Sequence, residues 1–351
     1  MKVGLIIPLN TRIASYITNF ESYLQDKHID YKKIVWDKLG REDAADYLFK
    51  FRTKDSNRLL ILVGYIFFTL KCRRIIRKEG FDRLIIFTIA PMFFLGKKFL
   101  ARYKGRFIAD VRDDSPFRRK FPEALRKIGD LAYATTVSSP NYAAWFNESI
   151  LCHNAEAKTV EKALSYTPKY AKSDVLRIVC AGTMIEEDKN IEILSELKND
   201  GQLKFVYFGR KNEGEQKIER YVKENGVNNV EFQGEYRKEQ IIDIYRNHAD
   251  LVNILRARSE VNAEALPNKL YDAAAAGVPI VVFSHNQAIV DYAKKYSLGL
   301  ILEDKPNIRE ELFSKYQNFS FRDYDTGRMN FLRMVLSDLG MFEKTLDGFV
   351  E

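Results

Sequence analysis

Two acids and a cation stand close together in the stretch EALPNKLYDAAAAGVPIVV, residues 264 to 282: Glu264, Lys269 and Asp272. Pro267 suits the first position of a helix, where a missing N–H costs nothing. The amides of Asn268 and Lys269 then stand at the positive end of the helix dipole, a ready site for an anion, and Lys269 adds a full charge there. Asp272, five residues after Pro267, is placed to accept hydrogen bonds from vicinal hydroxyls. The run Ala273 to Ala276 lets the helix lie close to its neighbours, and Gly277-Val278-Pro279 ends it before an apolar strand. Phosphate at the amides and a diol at the carboxylate describe a nucleotide with its ribose. An alanine-rich packed helix with an incidental Asp would read similarly, but packing has no use for the Pro-Asn-Lys opening.

Other polar groups are less specific. Arg112, Asp113 and Asp114 follow a strand-like run in FIADVRDDSPF; they either orient an acceptor hydroxyl or the transferred group, or form an ordinary charged loop. RDYD at 322 to 325 holds an Asp-x-Asp pair near the C-terminus and reads as surface. His153 and His285 read as structural or solvated, and His248, where a helix ends, as a partner of that helix's negative pole. Cys72, Cys152 and Cys180 lie far apart and form no CxxC or Cys/His cluster, which argues against a disulfide framework and against zinc. No metal is expected, and a reducing cytoplasm is the simplest setting.

These groups need a scaffold, and 351 residues suffice for two domains of roughly 150 to 200 residues each. Strand-like and helix-like runs alternate from the start: KVGLIIPL, then RIASYITNFESYLQDK, then DYKKIVWD. A long helix, LLILVGYIFFTLKCRRIIRKEG, is followed by strands DRLIIFT, RFIADV and LAYATTVSS, with the helix APMFFLGKKFLARYKG between the first two. The pattern loosens at 166–176, where a linker is expected, and restarts with RIVCAGT, LKFVYFGR, NVEFQG and DLVNIL as strands. Strand and helix in turn imply parallel sheets covered on both faces. The expected fold is α/β, two doubly wound Rossmann-like domains (1–170 and 171–320) facing across a cleft, with helices at 321–351 packing back on the first. Open sheets of this kind bind ligands beyond the carboxyl ends of their strands.

The net charge of +8 conceals an asymmetry: residues 1–170 carry 31 Lys and Arg against 18 Asp and Glu, the remainder 25 against 30. The basic residues cluster as KCRRIIRK, KKFLARYKGR and RRKFPEALRK, each mixed with large apolar side chains. That mixture suits an anionic membrane surface, and equally describes the solvated helix faces of a lysine-rich protein. No nucleic-acid motif accompanies it. The most apolar segment, residues 59 to 70, is 12 residues long, short of the ~20 a spanning helix needs. The opening MKVGLIIPLN reads as a first strand rather than a signal peptide.

Glu264 and Asp272 are eight residues apart, and EALPNKLYDAAAAGVPIV resembles the donor-binding signature of GT-B-fold, retaining nucleotide-sugar glycosyltransferases of family four, capsule and lipopolysaccharide type. That family has Glu-x7-Glu followed by Ala-x-Ala-x-Gly-x-Pro; here Asp272 replaces the second Glu and is one methylene shorter. RIVCAGTMIEEDKN, KFVYFGR and VEFQGEYRKEQIIDIYRNHADLVNIL are similar to the family's following segments in order, over residues 176 to 303. FIADVRDDSPF resembles its acceptor-side Asp-x-[His/Arg]-Asp segment.

The resemblance implies a transfer of sugar, with retention, from a UDP- or GDP-sugar to a lipid-linked or polysaccharide acceptor at the inner face of the membrane, without a metal or cofactor. It implies that Glu264 contacts the donor sugar, Asp272 the ribose and Lys189 the diphosphate, and that Asp113, with Arg112 and Asp114, serves the acceptor side. Gly182 and Thr183 occupy the first glycine turn, where the family's Arg is replaced by Thr183; Lys269 or Arg210 would supply that charge. The family's glycine-rich first loop is absent, leaving Asn10, Thr11 and Arg12 as weak candidates. These departures also fit a non-catalytic partner subunit.

Overall fold

The structure is a computed structural model, and it describes the chain apart from residues 12, 13, 15, 41, 43, 54–57, 169, 171, 173 and 185. Arg12 is therefore outside the described residues. Two compact units emerge, Met1–Glu156 with Ser337–Glu351, and Ala157–Leu336. Residues 157–170, expected with the first domain, thus pack with the second unit. The cause is the last helix, Phe321–Val350, whose Arg328 is buried and donates to the carbonyls of Ala163, Tyr166 (2.9 Å) and Ala274. Further along that helix Phe342, Leu346 and Phe349 belong to the first unit's core.

The first sheet contains β1 (Lys2–Ile7), β2 (Asp30–Asp37), β3 (Tyr47–Lys50), β4 (Arg83–Phe87), β5 (Phe107–Val111), β6 (Ala134–Val137) and β7 (Ile150–Leu151). They lie in the order β3-β2-β1-β4-β5-β6-β7, every pairing parallel. The continuous β-branched and aromatic runs GLII, LIIF and FIADV are buried on both faces, as a helix-covered parallel sheet requires. Edge strand β3 was not legible, being four residues with no alternation.

The second sheet contains β8 (Leu176–Ala181), β9 (Leu203–Phe208), β10 (Val230–Gly234), β11 (Leu251–Ile254), β12 (Ile280–Phe283) and β13 (Gly299–Leu302), in the order β10-β9-β8-β11-β12-β13 and again all parallel. Both sheets are doubly wound α/β, as the alternation predicts. The strand order reverses between β8 and β11, and this is where such a sheet leaves a crevice, because the helices after these two strands depart to opposite faces.

Glycines at the ends of β8 and β9 shape that crevice. The Gly182 N–H donates to Phe208 O at 2.9 Å, and the Gly209 N–H to Gly234 O at 2.9 Å. Gly182 has φ +109°, and a Cβ on Gly209 would stand 2.4 Å from the Gly182 carbonyl oxygen. No other residue fits either turn without moving the backbone.

Candidate functional site

Local sequence builds one wall of the crevice. The helix Asn268–Ala276 starts one residue later than expected: Pro267 is its N-cap, with ψ 152°, and Pro267 O accepts from the Leu270 N–H at 3.1 Å. The chemistry of the opening is unaffected, since Asn268 and Lys269 still form the first turn. The helix closes at Gly277 in the left-handed conformation.

A cavity of about 150 Å³ lies at the carboxyl ends of β8 and β11, lined by Cys180, Thr183, Met184, Glu186, Asn190, Asn253, Arg256, Pro267 and Lys269 among others. Lys269 lies over the first glycine turn, its Cε 3.9 Å from the position a Gly182 Cβ would take. Burial pushes the Lys269 amine below the ordinary lysine range; Cys180 and Glu186 raise it in part, while Arg256 lowers it further. Desolvation thus works against the charge of Lys269 at this place. Gly182 and Thr183 bring backbone and a hydroxyl to the same place.

The polar floor was not foreseen. Asn253 is buried at the end of β11, its Nδ2 2.8 Å from Cys180 Sγ and its Oδ1 accepting from the Leu255 N–H at 2.8 Å. Glu186 accepts from the Ala257 N–H and from Asn262 Nδ2, both at 2.7 Å, and lies 3.6 Å from Arg256 Nε. It therefore fixes the loop that presents Arg256. An Asn inside the apolar run DLVNIL was the one available signal; Glu186 looked like any acid ahead of a helix.

Among the other expected donor-side residues, Thr183, Pro267 and Lys269 line this cavity, while Glu264, Asp272, Arg210 and Lys189 do not. Asn268 is exposed beside it. Asp272 is half-buried next to two phenols: burial and then its charge push Tyr236 up to about 12, and Tyr245 is raised well above its usual range. Glu264 ends the short helix Glu260–Glu264, and Arg210 follows the Gly209 turn. Lys189 is buried, with its ammonium on Glu192 at 2.9 Å and Asp304 at 2.5 Å and over the Phe283 ring at 5.0 Å. Burial opposes that charge, but the two carboxylates outweigh it and the amine is raised.

Of the three residues expected on the acceptor side, Asp113 is the exposed one. Arg112 turns inward: Nε donates to Asp110 at 2.6 Å, Nη1 to Cys152 O at 2.9 Å and Asn154 Oδ1 at 3.1 Å, and the guanidinium covers Tyr16 at 5.0 Å. Asp114 is enclosed by Arg118 (2.8 Å) and Arg119 (3.2 Å) and accepts from the Ser115 N–H. Two of the three charges thus hold the loop in shape. Asp113 is exposed, and after burial its charge is the next cause that lifts the phenols of Tyr16 and Tyr65, the latter to about 12. Thr88, at the end of β4, has φ +66°, a strained conformation for a β-branched residue and of a kind that gathers at functional sites.

His153, His248 and His285 have partners within the protein. His153 is buried on Asp338 at 2.8 Å, His285 meets the Arg256 carbonyl at 2.9 Å, and His248 ends its helix against Phe208. Asp325 of RDYD accepts from Arg328 and Tyr170. Among the described residues no group of His, Cys, Asp and Glu could hold a metal, and no helix is long and apolar enough to cross a membrane.

A lowered lysine amine predicts a pH profile for any anion bound in the cavity. Binding favours the protonated form, so affinity for UDP should fall as pH rises through the depressed Lys269 pKa, earlier than an ordinary lysine would allow. Titration calorimetry from neutral to alkaline pH measures this, and Lys269→Arg should flatten the curve because a guanidinium stays charged.

Residues 176–315 match the family model described as glycosyl transferases group 1. Sucrose-phosphate synthase from Thermosynechococcus elongatus superposes with a TM-score of 0.66 at 12% identity, covering 99% of both chains. The apo lipopolysaccharide outer core galactosyltransferase WaaB gives 0.58 at 11%, over 100% of this chain and 99% of that one. UDP-GlcNAc 2-epimerase from Neisseria meningitidis, bound to UDP-GlcNAc, gives 0.58 at 12% over 99% of both. Among curated proteins no sequence match was found. At these identities the structures establish the fold alone, which transferases and epimerases share; the family match adds a likeness to transferases over residues 176–315. Residues 176–315 are thus similar to a group 1 glycosyl transferase domain, and the chain as a whole has the GT-B-type fold.

Proposed function

We propose that this chain transfers a sugar, with retention of configuration, from a nucleoside-diphosphate donor to a lipid-linked or polysaccharide acceptor in the synthesis of a bacterial surface glycan. The observation that carries the reading is the cavity at the β8–β11 reversal, lined by Lys269 and Arg256 within the matching domain. Two cations beside a glycine turn suit a diphosphate, and they would stabilise the charge that develops as it leaves. Asp272 holds the ribose beside Tyr236, and Glu264 the donor sugar. The excess of basic residues in the first 170 suits work on an anionic membrane face. A thermal-shift panel of UDP- and GDP-sugars tests the reading: a specific nucleotide sugar should raise the melting temperature, and silence across the panel defeats it.

A second reading, a non-catalytic partner subunit, is favoured by the tether of Lys189 to Asp304 and Glu192 and by Thr183 in place of Arg. Incubating the chain alone with its donor separates the two, since an enzyme releases nucleoside diphosphate. If it does, and if Lys189 leaves Asp304 and Glu192 to meet the diphosphate, Lys189→Ala should slow release at least about 100-fold. Near-normal turnover would confine Lys189 to holding Asp304.

A further inference from the structure

The first unit carries a second cavity, part of its lining just after Asp114 and Arg119 in sequence. It measures about 660 Å³, within the range of ligand sites, and is lined by Phe93, Lys97, Lys120, Phe121, Lys127 and Ile128, with Pro122, Glu123 and Ala124 completing the rim. Its walls are the short helices Ile89–Leu95, Lys97–Leu100, Pro116–Lys120 and Pro122–Gly129. Three lysines line it against one carboxylate, and that one, Glu123, is engaged by Arg126 at 2.6 Å. Among the described residues none of the three lysines forms an ion pair.

An aromatic path leads from this cavity to an unusual helix face. Phe93 stacks on Phe121 (5.2 Å) and Phe117 (5.0 Å), Phe117 meets Phe94 edge-on (5.1 Å), and Phe94 stacks on Tyr65 (5.9 Å) of the helix Arg58–Glu79. That helix exposes Leu59 (70%), Leu62, Ile66, Phe67 (54%) and Leu70. Spacings of 3, 4 and 4 put Leu59, Leu62, Ile66 and Leu70 on one stripe, and exposed Arg74 and Arg77 continue it. A continuous exposed apolar stripe on a folded protein marks an interaction surface. Its basic continuation and the lysine cavity complement an anionic bilayer rather than an apolar protein surface.

We propose that the Lys97–Lys120–Lys127 cavity binds the phosphate of an anionic bilayer lipid while the Leu59–Leu70 stripe seats in the acyl boundary beside it. This deepens the membrane part of the function above and rests on it, but requires nothing of the donor site. Cosedimentation with phosphatidylglycerol–phosphatidylcholine vesicles, against phosphatidylcholine alone, is the test. The wild type should bind the anionic vesicles. The triple variant Lys97→Ala, Lys120→Ala, Lys127→Ala should partition roughly 100-fold less, three cations at the per-residue value for an anionic surface. Ile66→Ser with Phe67→Ser should likewise lose the anionic vesicles.

A control triple with the same charge loss in the second unit, Lys198→Ala, Lys211→Ala and Lys223→Ala, should bind like wild type; an equal loss there makes the attraction diffuse and overturns the site. Inorganic phosphate at constant ionic strength should not displace the protein, and displacement would assign the cavity to free phosphate instead. If the serine variant only dissociates a dimer and keeps its vesicle binding, the stripe belongs to a second copy and the proposal fails. UDP thermal shifts on every variant should be unchanged, so a failure of the donor reading registers separately.

Discussion

Lys269→Met should give a protein that melts higher than wild type without ligand and no longer responds to UDP. In the unliganded cavity this ammonium is held below its ordinary pKa by burial, so folding works against its charge. An uncharged side chain of similar length removes that opposition, for a gain of about 1 kcal/mol. Loss of a charge-assisted contact to phosphate costs about 2–3 kcal/mol, hence a roughly 30- to 150-fold weaker Kd for UDP. Thermal shift with and without UDP, followed by calorimetry, measures both signs. An unchanged UDP affinity would remove the diphosphate from this cavity, and the donor assignment with it.

Arg112→Leu is expected to show the opposite pattern, a damaged fold with an intact nucleotide site. Asp110 is fully buried and receives hydrogen bonds from Arg112 Nε and Thr136 Oγ1, both at 2.6 Å. Removing the guanidinium leaves a carboxylate in the core with a single hydroxyl, and frees the Cys152 and Asn154 acceptors as well. Breaking one side of such a pair typically costs about 3–5 kcal/mol. Denaturant unfolding should show that loss, and the double variant Arg112→Leu, Asp110→Leu should recover most of it because no buried charge remains. A variant as stable as wild type with an impaired KM for acceptor would restore Arg112 to the acceptor side.

The contrast between Lys269 and Arg112 marks what each level of description could decide. A helix start is a local event: Pro267, Asn268 and Lys269 are adjacent, so their chemistry follows from the sequence with a one-residue error in the cap. The sheets were legible for the same reason. Runs such as LIIF, FIADV and RIVCA are apolar without alternation, which suits strands buried on both faces, and Gly182 and Gly209 follow them where the chain must turn.

Partners distant along the chain were not legible. Lys189 meets Asp304, 115 residues away, and so is tethered outside the cavity that its neighbour Asn190 lines. Arg112 is directed inward by Asp110, whose position two residues earlier in β5 faces the core while Asp113 faces out. Glu186 acquires its task only when Ala257 and Asn262 arrive beneath it. Composition and periodicity determined the two parallel sheets and the cationic helix opening, because neighbours along the chain generate both. Which charges face the ligand and which secure a loop was decided by the tertiary structure, since a long side chain adopts whichever rotamer finds an opposite charge in space.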